Sequence, residues 1–284
     1  MALKLWRGIP LIDDSTGSDD LFGFVDPDGN KVGRGCVPRD YVRQPVGSVG
    51  QPPSEMELIP ESEWSERCKV QEETQSSLEH LYLRGPNGGP VFTNLDQDGD
   101  GYCWGYSTGH AAMLARLRDN QPHVRLNPHS ICAIIKRGAN EGGWCGLSAE
   151  FLRKYGIAPE GNGPGQWPLH SRNISLDTPE MRASMSRFKV TEDWIEMTEP
   201  AYDRNLTLQQ IATCLLGDNP TAVDFDWWGH SVCALRLVEV ERGSFCGLIL
   251  NTWKGWGRHG LAVIQGDKWK PMGAVAIRTT KTLA

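Results

Sequence analysis

The sequence lacks a hydrophobic run long enough to cross a membrane, and it lacks an excess of basic residues. No apolar stretch approaches the roughly 20 residues of a membrane-spanning helix, so no membrane partner is expected. A net charge of −6 leaves no basic stripe to displace counterions, which argues against nucleic acid as the main partner. The 284 residues, 39% hydrophobic and 23% charged, are typical of a soluble globular protein with one two-lobed domain, or one domain plus an extension.

Two further absences concern secretion and metal binding. The N-terminus has no apolar segment of signal-peptide length before Asp13 and Asp14, so we expect a protein that is not secreted by the general pathway. No Cys-x-x-Cys pair is present, which makes a zinc site improbable, and we expect no cofactor. The cysteines are scattered, at positions 36, 68, 103, 132, 145, 214, 233 and 246.

The first 54 residues are rich in turn-forming residues and poor in periodic apolar pattern. Asp26-Pro-Asp-Gly-Asn30 and Pro52-Pro53 are examples. This composition predicts an extended, irregular N-terminal arm (1–54) that lies against its own globular domain (55–284) or contacts neighbouring subunits.

The most informative segment runs from Gln97 to Ser107 and contains Cys103 at the predicted start of a helix. A cysteine there experiences the positive end of the helix dipole, which favours the thiolate. The Gln97 side-chain amide, six residues upstream, could donate a hydrogen bond to a developing oxyanion. This is the local chemistry of a cysteine nucleophile.

Helical patterns precede strand patterns along the chain. Helices are predicted from Cys103 to about 118, over 128–137 and over 148–155, with shorter pieces within 61–71 and 76–83. Strands are predicted at 232–240, 245–250, 261–264 and 274–277. A turn near 242 would fold the first two strands into a hairpin and bring His230 and Asn251 to one end of the sheet. The order predicts an α+β protein.

Three ordered blocks in this chain resemble the papain family of cysteine peptidases. They are Gln-x5-Cys-Trp ending at Trp104, Gly-His-Ser around His230, and Asn-Thr-Trp from Asn251 followed by Trp-Gly-x-x-Gly. The similarity covers roughly residues 85–280. It implies a two-lobed α+β fold, with a helical lobe (about 85–185), an antiparallel β lobe (about 186–284) and an active site in the cleft between them.

The resemblance also implies a role for each residue of the site. Cys103 would be the nucleophile and His230 its proton acceptor, with Asn251 orienting the imidazole. Gln97 and the backbone N–H of Cys103 would form the oxyanion hole. Trp253 would cover the His230–Asn251 hydrogen bond, and Gly142 and Gly143 would bind an extended peptide. The implied activity is hydrolysis of peptide bonds in a peptide or protein substrate.

The chain departs from the family pattern at the usual disulfide. Asp100 stands three residues before the nucleophile, where secreted relatives carry a cysteine, and Asn140-Glu141-Gly142-Gly143 lacks the partner cysteine. The absence of both halves fits a reducing compartment and predicts free thiols throughout. We therefore expect a cytoplasmic protein or one enclosed in a virus particle.

Three alternatives remain beside the peptidase interpretation. Asp96-x-Asp98-x-Asp100-Gly matches half of a calcium loop, but position twelve is Ser107 rather than a glutamate, and we expect the three carboxylates to face solvent. The fold could instead serve as a structural or assembly protein, such as a virus-particle component that uses its arm. The third alternative is a peptidoglycan amidase with a Cys–His dyad. The Gln-x5-Cys and Asn-Thr-Trp blocks fit this class less well than they fit the papain type.

Overall fold

A computed structural model describes residues 3–17, 21, 35–39, 57–190, 194–196 and 204–278. Most of the predicted arm lies outside these residues. The α-helices whose bounds fall within these residues are α1 (Glu61–Thr74), α2 (Leu78–Tyr82), α3 (Cys103–Arg118), α4 (His129–Lys136), α5 (Cys145–Lys154), α6 (Pro179–Met185) and α7 (Arg204–Leu216).

The main sheet of the described chain has eight strands, which are β1 (Lys4–Trp6), β2 (Ile9–Ile12), β5 (Trp194–Glu196), β6 (Thr221–Phe225), β7 (His230–Glu241), β8 (Ser244–Leu250), β9 (Leu261–Ile264) and β10 (Gly273–Ile277). Their order across the sheet is β1-β2-β9-β8-β7-β6-β10-β5. All neighbours are antiparallel except β2 and β9. Two short strands, β3 (Leu126–Asn127) and β4 (Ala158–Pro159), pair separately in the helical part.

The predicted α+β class is confirmed. Helices α3 to α6 fall between residues 85 and 185 and strands β5 to β10 between 186 and 284, but α7 also lies in the second range and the short strands β3 and β4 lie in the first. The sequence did not predict that part of the arm joins the sheet. Residues 4–12 form the β1–β2 hairpin, and Leu11 and Ile12 of β2 pair with Val263 and Ile264 of β9.

Helix α3 forms the centre of the molecule. Its first 14 residues, up to Arg116, are all buried, as is typical of a helix enclosed on every side. Two glycines on α3 allow α4 to approach. A Cβ added to Gly105 would lie 2.1 Å from the Cys132 sulfur, and a Cβ added to Gly109 would lie 2.6 Å from the Pro128 ring. The position of Cys103 is therefore fixed by tight packing.

The β7–β8 hairpin positions the other half of the site. Gly243, with φ of +78°, provides the left-handed residue that the turn needs. The register pairs Cys233 with Leu250, so the start of β7 and the end of β8 lie at the same edge of the sheet. His230 begins β7 and Asn251 follows β8, and the hairpin therefore brings them together as predicted. Among the described helices, none has the length and apolar character that crossing a membrane requires.

Candidate active site

Cys103 is the first residue of α3 and is completely buried. Burial raises the pKa of its thiol to about 12, although the backbone N–H groups of Ser231, Gly35 and Trp104 act in the opposite direction. The position of Cys103 at a helix start was expected to favour the thiolate. In this structure that expectation is wrong, because the loss of solvent outweighs the N–H dipoles around the sulfur.

Helix α3 and strand β7 meet at Cys103. The backbone N–H of Ser231, the residue after His230, interacts with the Cys103 thiol and acts to lower its pKa, against the larger effect of burial. One turn along α3, the hydroxyl of Ser107 lies 2.8 Å from the hydroxyl of Ser231. This buried link fixes the start of β7, where His230 lies, against the start of α3.

His230 and Asn251 form a buried hydrogen-bonded pair. The imidazole Nε2 lies 2.7 Å from the Asn251 Oδ1 atom. That same Oδ1 accepts the backbone N–H of Thr252 at 2.7 Å, which identifies it as the amide oxygen. Since an amide oxygen can only accept, the proton lies on Nε2, and Nδ1 is the nitrogen suited to exchange a proton with Cys103.

Tryptophan rings enclose the His230–Asn251 pair. The Trp253 ring stacks on the imidazole with centroids 4.4 Å apart and an interplanar angle of 28°. Trp228 meets the imidazole edge-on at 4.8 Å. Both indoles are themselves almost fully buried. The rings exclude water from the hydrogen bond, which strengthens it in a low-dielectric setting.

Gln97 is held by bonds at both ends of its side-chain amide. Its Nε2 donates to the Asp100 carbonyl at 2.7 Å, and its Oε1 accepts the Thr252 hydroxyl in a short hydrogen bond. The backbone N–H of Gln97 donates to the Thr252 carbonyl at 3.1 Å. Thr252 therefore ties the glutamine loop to the Asn-Thr-Trp block and sets the orientation of the amide.

Asp100 points inward, which corrects the expectation that all three loop carboxylates face solvent. Its Oδ2 lies 2.8 Å from Nε2 of buried His129, whose Nδ1 lies 2.6 Å from the Tyr106 hydroxyl. Burial lowers the pKa of His129, and the bond to Asp100 partly offsets that effect. Asp98, by contrast, is half exposed. The Asp100–His129 pair anchors the loop whose carbonyl holds Gln97.

Hydrogen bonds join the segments that a disulfide would connect in secreted relatives. The Asn140 Oδ1 accepts the Gly101 N–H at 2.6 Å, and the Tyr102 hydroxyl donates to the Ala139 carbonyl at 2.7 Å. The predicted free thiols are also confirmed, since all eight cysteines lie in the described part of the chain and none is disulfide-bonded. The local geometry is thus kept without a cross-link.

Gly142 and Gly143, the peptide-binding pair that the resemblance implies, lie against Trp104 and residues 35–37. An added Cβ at Gly143 would come within 2.6 Å of the Trp104 ring. Backbone atoms of Gly143 already bond to a segment of this same chain: its N–H donates to the Gly35 carbonyl and its carbonyl accepts the Val37 N–H, both at 2.8 Å.

The sequence analysis did not identify three polar residues that support the site. They are Thr252, His129 and Asp224. Asp224 is buried, accepts the Cys145 N–H at 2.9 Å, and opposes ionisation of Cys103. Burial raises the pKa of Asp224 itself. The position of Thr252 inside the Asn-Thr-Trp block was a usable signal, but no local pattern marks the other two.

Comparisons with known proteins agree with this geometry at the level of fold. No protein-family profile matches the sequence, and no curated protein matches it. Among solved structures, xylellain, a cysteine protease from Xylella fastidiosa, superposes with a TM-score of 0.56 at 13% identity and covers 89% of this chain and 97% of its own.

Two further structures resemble the chain in the same way. Procathepsin B from Trypanosoma congolense has a TM-score of 0.52 at 15% identity, covering 88% of this chain and 87% of its own. The recombinant stem bromelain precursor has a TM-score of 0.52 at 10% identity, covering 88% and 83%. All three are papain-like cysteine proteases. The chain therefore has the papain-like fold, and the comparisons do not favour an assembly role.

Proposed function

We propose that the chain is a papain-like cysteine peptidase that hydrolyses peptide bonds through a covalent acyl-enzyme. The observation that carries this proposal is the His230–Asn251 hydrogen bond of 2.7 Å, covered by Trp253, on the strand whose next residue, Ser231, interacts with the Cys103 thiol through its backbone N–H. A buried asparagine that fixes an imidazole tautomer next to a cysteine suits proton transfer from that cysteine.

In the proposed cycle, Cys103 transfers its thiol proton to Nδ1 of His230, and the thiolate attacks the peptide carbonyl carbon. The Gln97 side-chain N–H and the Cys103 backbone N–H donate to the resulting oxyanion, each such donor contributing about 2.7–4 kcal/mol. The C–N bond then breaks, and the leaving amine takes the proton from His230. Water, deprotonated by His230, releases the acid and restores the thiol.

The test is to compare wild type with Cys103→Ala and Cys103→Ser for cleavage of a peptide library and for labelling by a thiol-directed epoxide. Both variants should lose peptide hydrolysis by at least about a thousand-fold and lose the label. Cys246→Ala is the matched control, because Cys246 is a buried thiol on β8 away from the site. Undiminished labelling or cleavage in Cys103→Ala would overturn the proposal.

A further inference from the structure

A chain of hydrogen bonds runs from helix α3 to the loop that carries Gln97. The Tyr106 hydroxyl, on α3, lies 2.6 Å from Nδ1 of His129, on α4. The His129 Nε2 atom lies 2.8 Å from the Asp100 Oδ2 atom. The Asp100 carbonyl accepts the Gln97 side-chain N–H at 2.7 Å, and the Asp100 N–H donates to the Gln97 carbonyl at 3.2 Å. The side-chain amide of Gln97 is thereby connected to the helix that begins at Cys103.

The partners of His129 define one arrangement of protons. A carboxylate oxygen only accepts, so the imidazole proton lies on Nε2 and bonds to Asp100. In the neutral ring Nδ1 is then an acceptor, and it takes the hydroxyl proton of Tyr106. Burial lowers the pKa of His129 and raises the pKa of Tyr106 well above its ordinary value, which keeps both groups neutral near pH 7. Every polar atom of the imidazole therefore has a matched partner.

The imidazole at the centre of this chain is tightly enclosed. His129 is completely buried. The rings of Tyr102 and Tyr106 meet it edge-on, with centroids 5.1 and 5.5 Å away. On the other side of the carboxylate, the Arg172 Nε atom lies 3.7 Å from the same Asp100 oxygen that bonds to His129. A ring packed in this way has little freedom to move, so it can hold the carboxylate and the loop behind it in one position.

The direction of the Gln97 donor depends on where this loop is held. The Thr252 hydroxyl bonds to Gln97 Oε1, and the Asp100 carbonyl takes one of the two hydrogens on Gln97 Nε2. Because a side-chain amide is planar, these two bonds also fix the direction of the second Nε2 hydrogen. The other proposed oxyanion donor is the Cys103 backbone N–H, on α3. Donors of this kind work only when they are aimed in advance, so the connection between the loop and α3 sets the geometry of the pair.

We propose that His129 is a positioning residue for the oxyanion hole, acting on Gln97 through Asp100. This inference rests on the proposed function, because it assigns a further residue to the same reaction. His129 contacts neither the substrate nor the thiol in this proposal. It holds the loop at the position where, by the family resemblance, a disulfide would otherwise hold it, and it does so with a hydrogen bond that one substitution can remove.

The experiment compares His129→Phe with His129→Gln, each in the wild-type chain and in the Gln97→Ala chain. Phenylalanine keeps a planar ring of similar size but has no polar atom. Glutamine can donate from its Nε2 to Asp100 and accept the Tyr106 proton on its Oε1, as the imidazole does. Asp100→Ala is a second disrupting variant, at a side chain that is 15% exposed, and it keeps the backbone carbonyl that bonds to Gln97.

The readouts are kcat and KM for the library peptide that wild type cleaves fastest, with urea unfolding to verify that each variant is folded. In the wild-type chain, His129→Phe and Asp100→Ala should each lower kcat by about ten-fold and change KM by less than about two-fold, because the donor acts on the transition state. His129→Gln should recover most of that loss.

The Gln97→Ala chain separates a positioning role from a structural one. It lacks the amide that His129 positions, so His129→Phe and Asp100→Ala should change its kcat by less than about two-fold. A structural role would lower kcat by the same factor in both chains. Equal losses in the two chains, or an unchanged kcat in His129→Phe and Asp100→Ala, would overturn the inference.

A second measurement reports the Gln97 amide without requiring turnover. The side-chain NH₂ signals of Gln97 in a ¹H–¹⁵N NMR spectrum are assigned by their absence from the Gln97→Ala spectrum. They should shift in His129→Phe and stay near their wild-type positions in His129→Gln. This pattern without hydrolysis by any variant would support the positioning role and count against the peptidase. Cys103-dependent hydrolysis with unshifted Gln97 signals would leave the peptidase standing and remove the role of His129.

Discussion

Replacing His110 with glutamine should flatten the pH dependence of stability on the acid side. His110 lies on α3, is fully buried, and accepts the Leu95 backbone N–H on its Nε2 at 2.9 Å. Burial, with a smaller effect from Arg125, lowers the pKa of His110 from 6.5 to about 3. The folded protein therefore holds this imidazole neutral where the unfolded chain protonates it.

The sign and size of this pH effect on folding stability follow from proton linkage. Between about pH 6.5 and pH 3 the unfolded chain binds a proton at His110 that the folded chain does not, so stability falls as the pH falls. At pH 5, about 1.5 units below the ordinary value, the loss relative to pH 7 is about 2 kcal/mol. Glutamine can place its Oε1 near the position of Nε2 and keep the Leu95 bond without titrating.

The assay is urea unfolding followed by tryptophan fluorescence, at pH 7, 6 and 5. The wild-type protein should lose about 2 kcal/mol more than His110→Gln between pH 7 and pH 5. His110→Leu, which leaves the Leu95 N–H without its acceptor, should be less stable by about 1–3 kcal/mol at every pH. Parallel pH profiles for wild type and His110→Gln would refute the reasoning.

Two other predictions concern the oxyanion loop and a buried ion pair. Thr252→Val removes the hydroxyl that orients Gln97 and should lower kcat by about ten-fold with little change in KM. Thr252→Ser keeps a hydroxyl and should retain activity. An unchanged kcat in the valine variant would contradict this role of Thr252. Arg236→Met removes the guanidinium that lies 2.7 Å from buried Glu79 and should lower the free energy of unfolding by about 3–5 kcal/mol. The measurement is urea unfolding, with Arg236→Lys as the control. Equal stability of the methionine variant and wild type would show that the pair contributes little.

Much of the candidate site could be predicted from local sequence. Cys103 was recognisable as a candidate nucleophile because Gln97, the predicted helix start and Trp104 form one short, ordered pattern around it. The β7–β8 hairpin was equally predictable, since alternating apolar strands and a Gly243 turn determine which strand ends meet. These features depend on backbone periodicity and turn chemistry, which act over a few residues.

The sequence could not show which contacts form between segments far apart in the chain. The irregular composition of the arm indicated contact with its own globular domain or with neighbouring subunits, but not which residues would pair. In the structure, residues 4–12 add strands to the main sheet and residues 35–39 bond to Gly143 and Gly229. Asp100 was expected to face solvent because an inward-pointing carboxylate would oppose ionisation of the nearby thiol. Its partner His129 is 29 residues away, and only packing of α4 against α3 brings them together.

The sequence by itself determined the α+β class, the position of Cys103 at a helix start, and the meeting of His230 with Asn251. Only the tertiary structure decided the pKa of the Cys103 thiol and which residues bury it. A helix dipole favours the thiolate, but burial beneath residues from a distant part of the chain raises the pKa of Cys103 to about 12. Desolvation depends on everything that surrounds a group in space, and local sequence does not encode that environment.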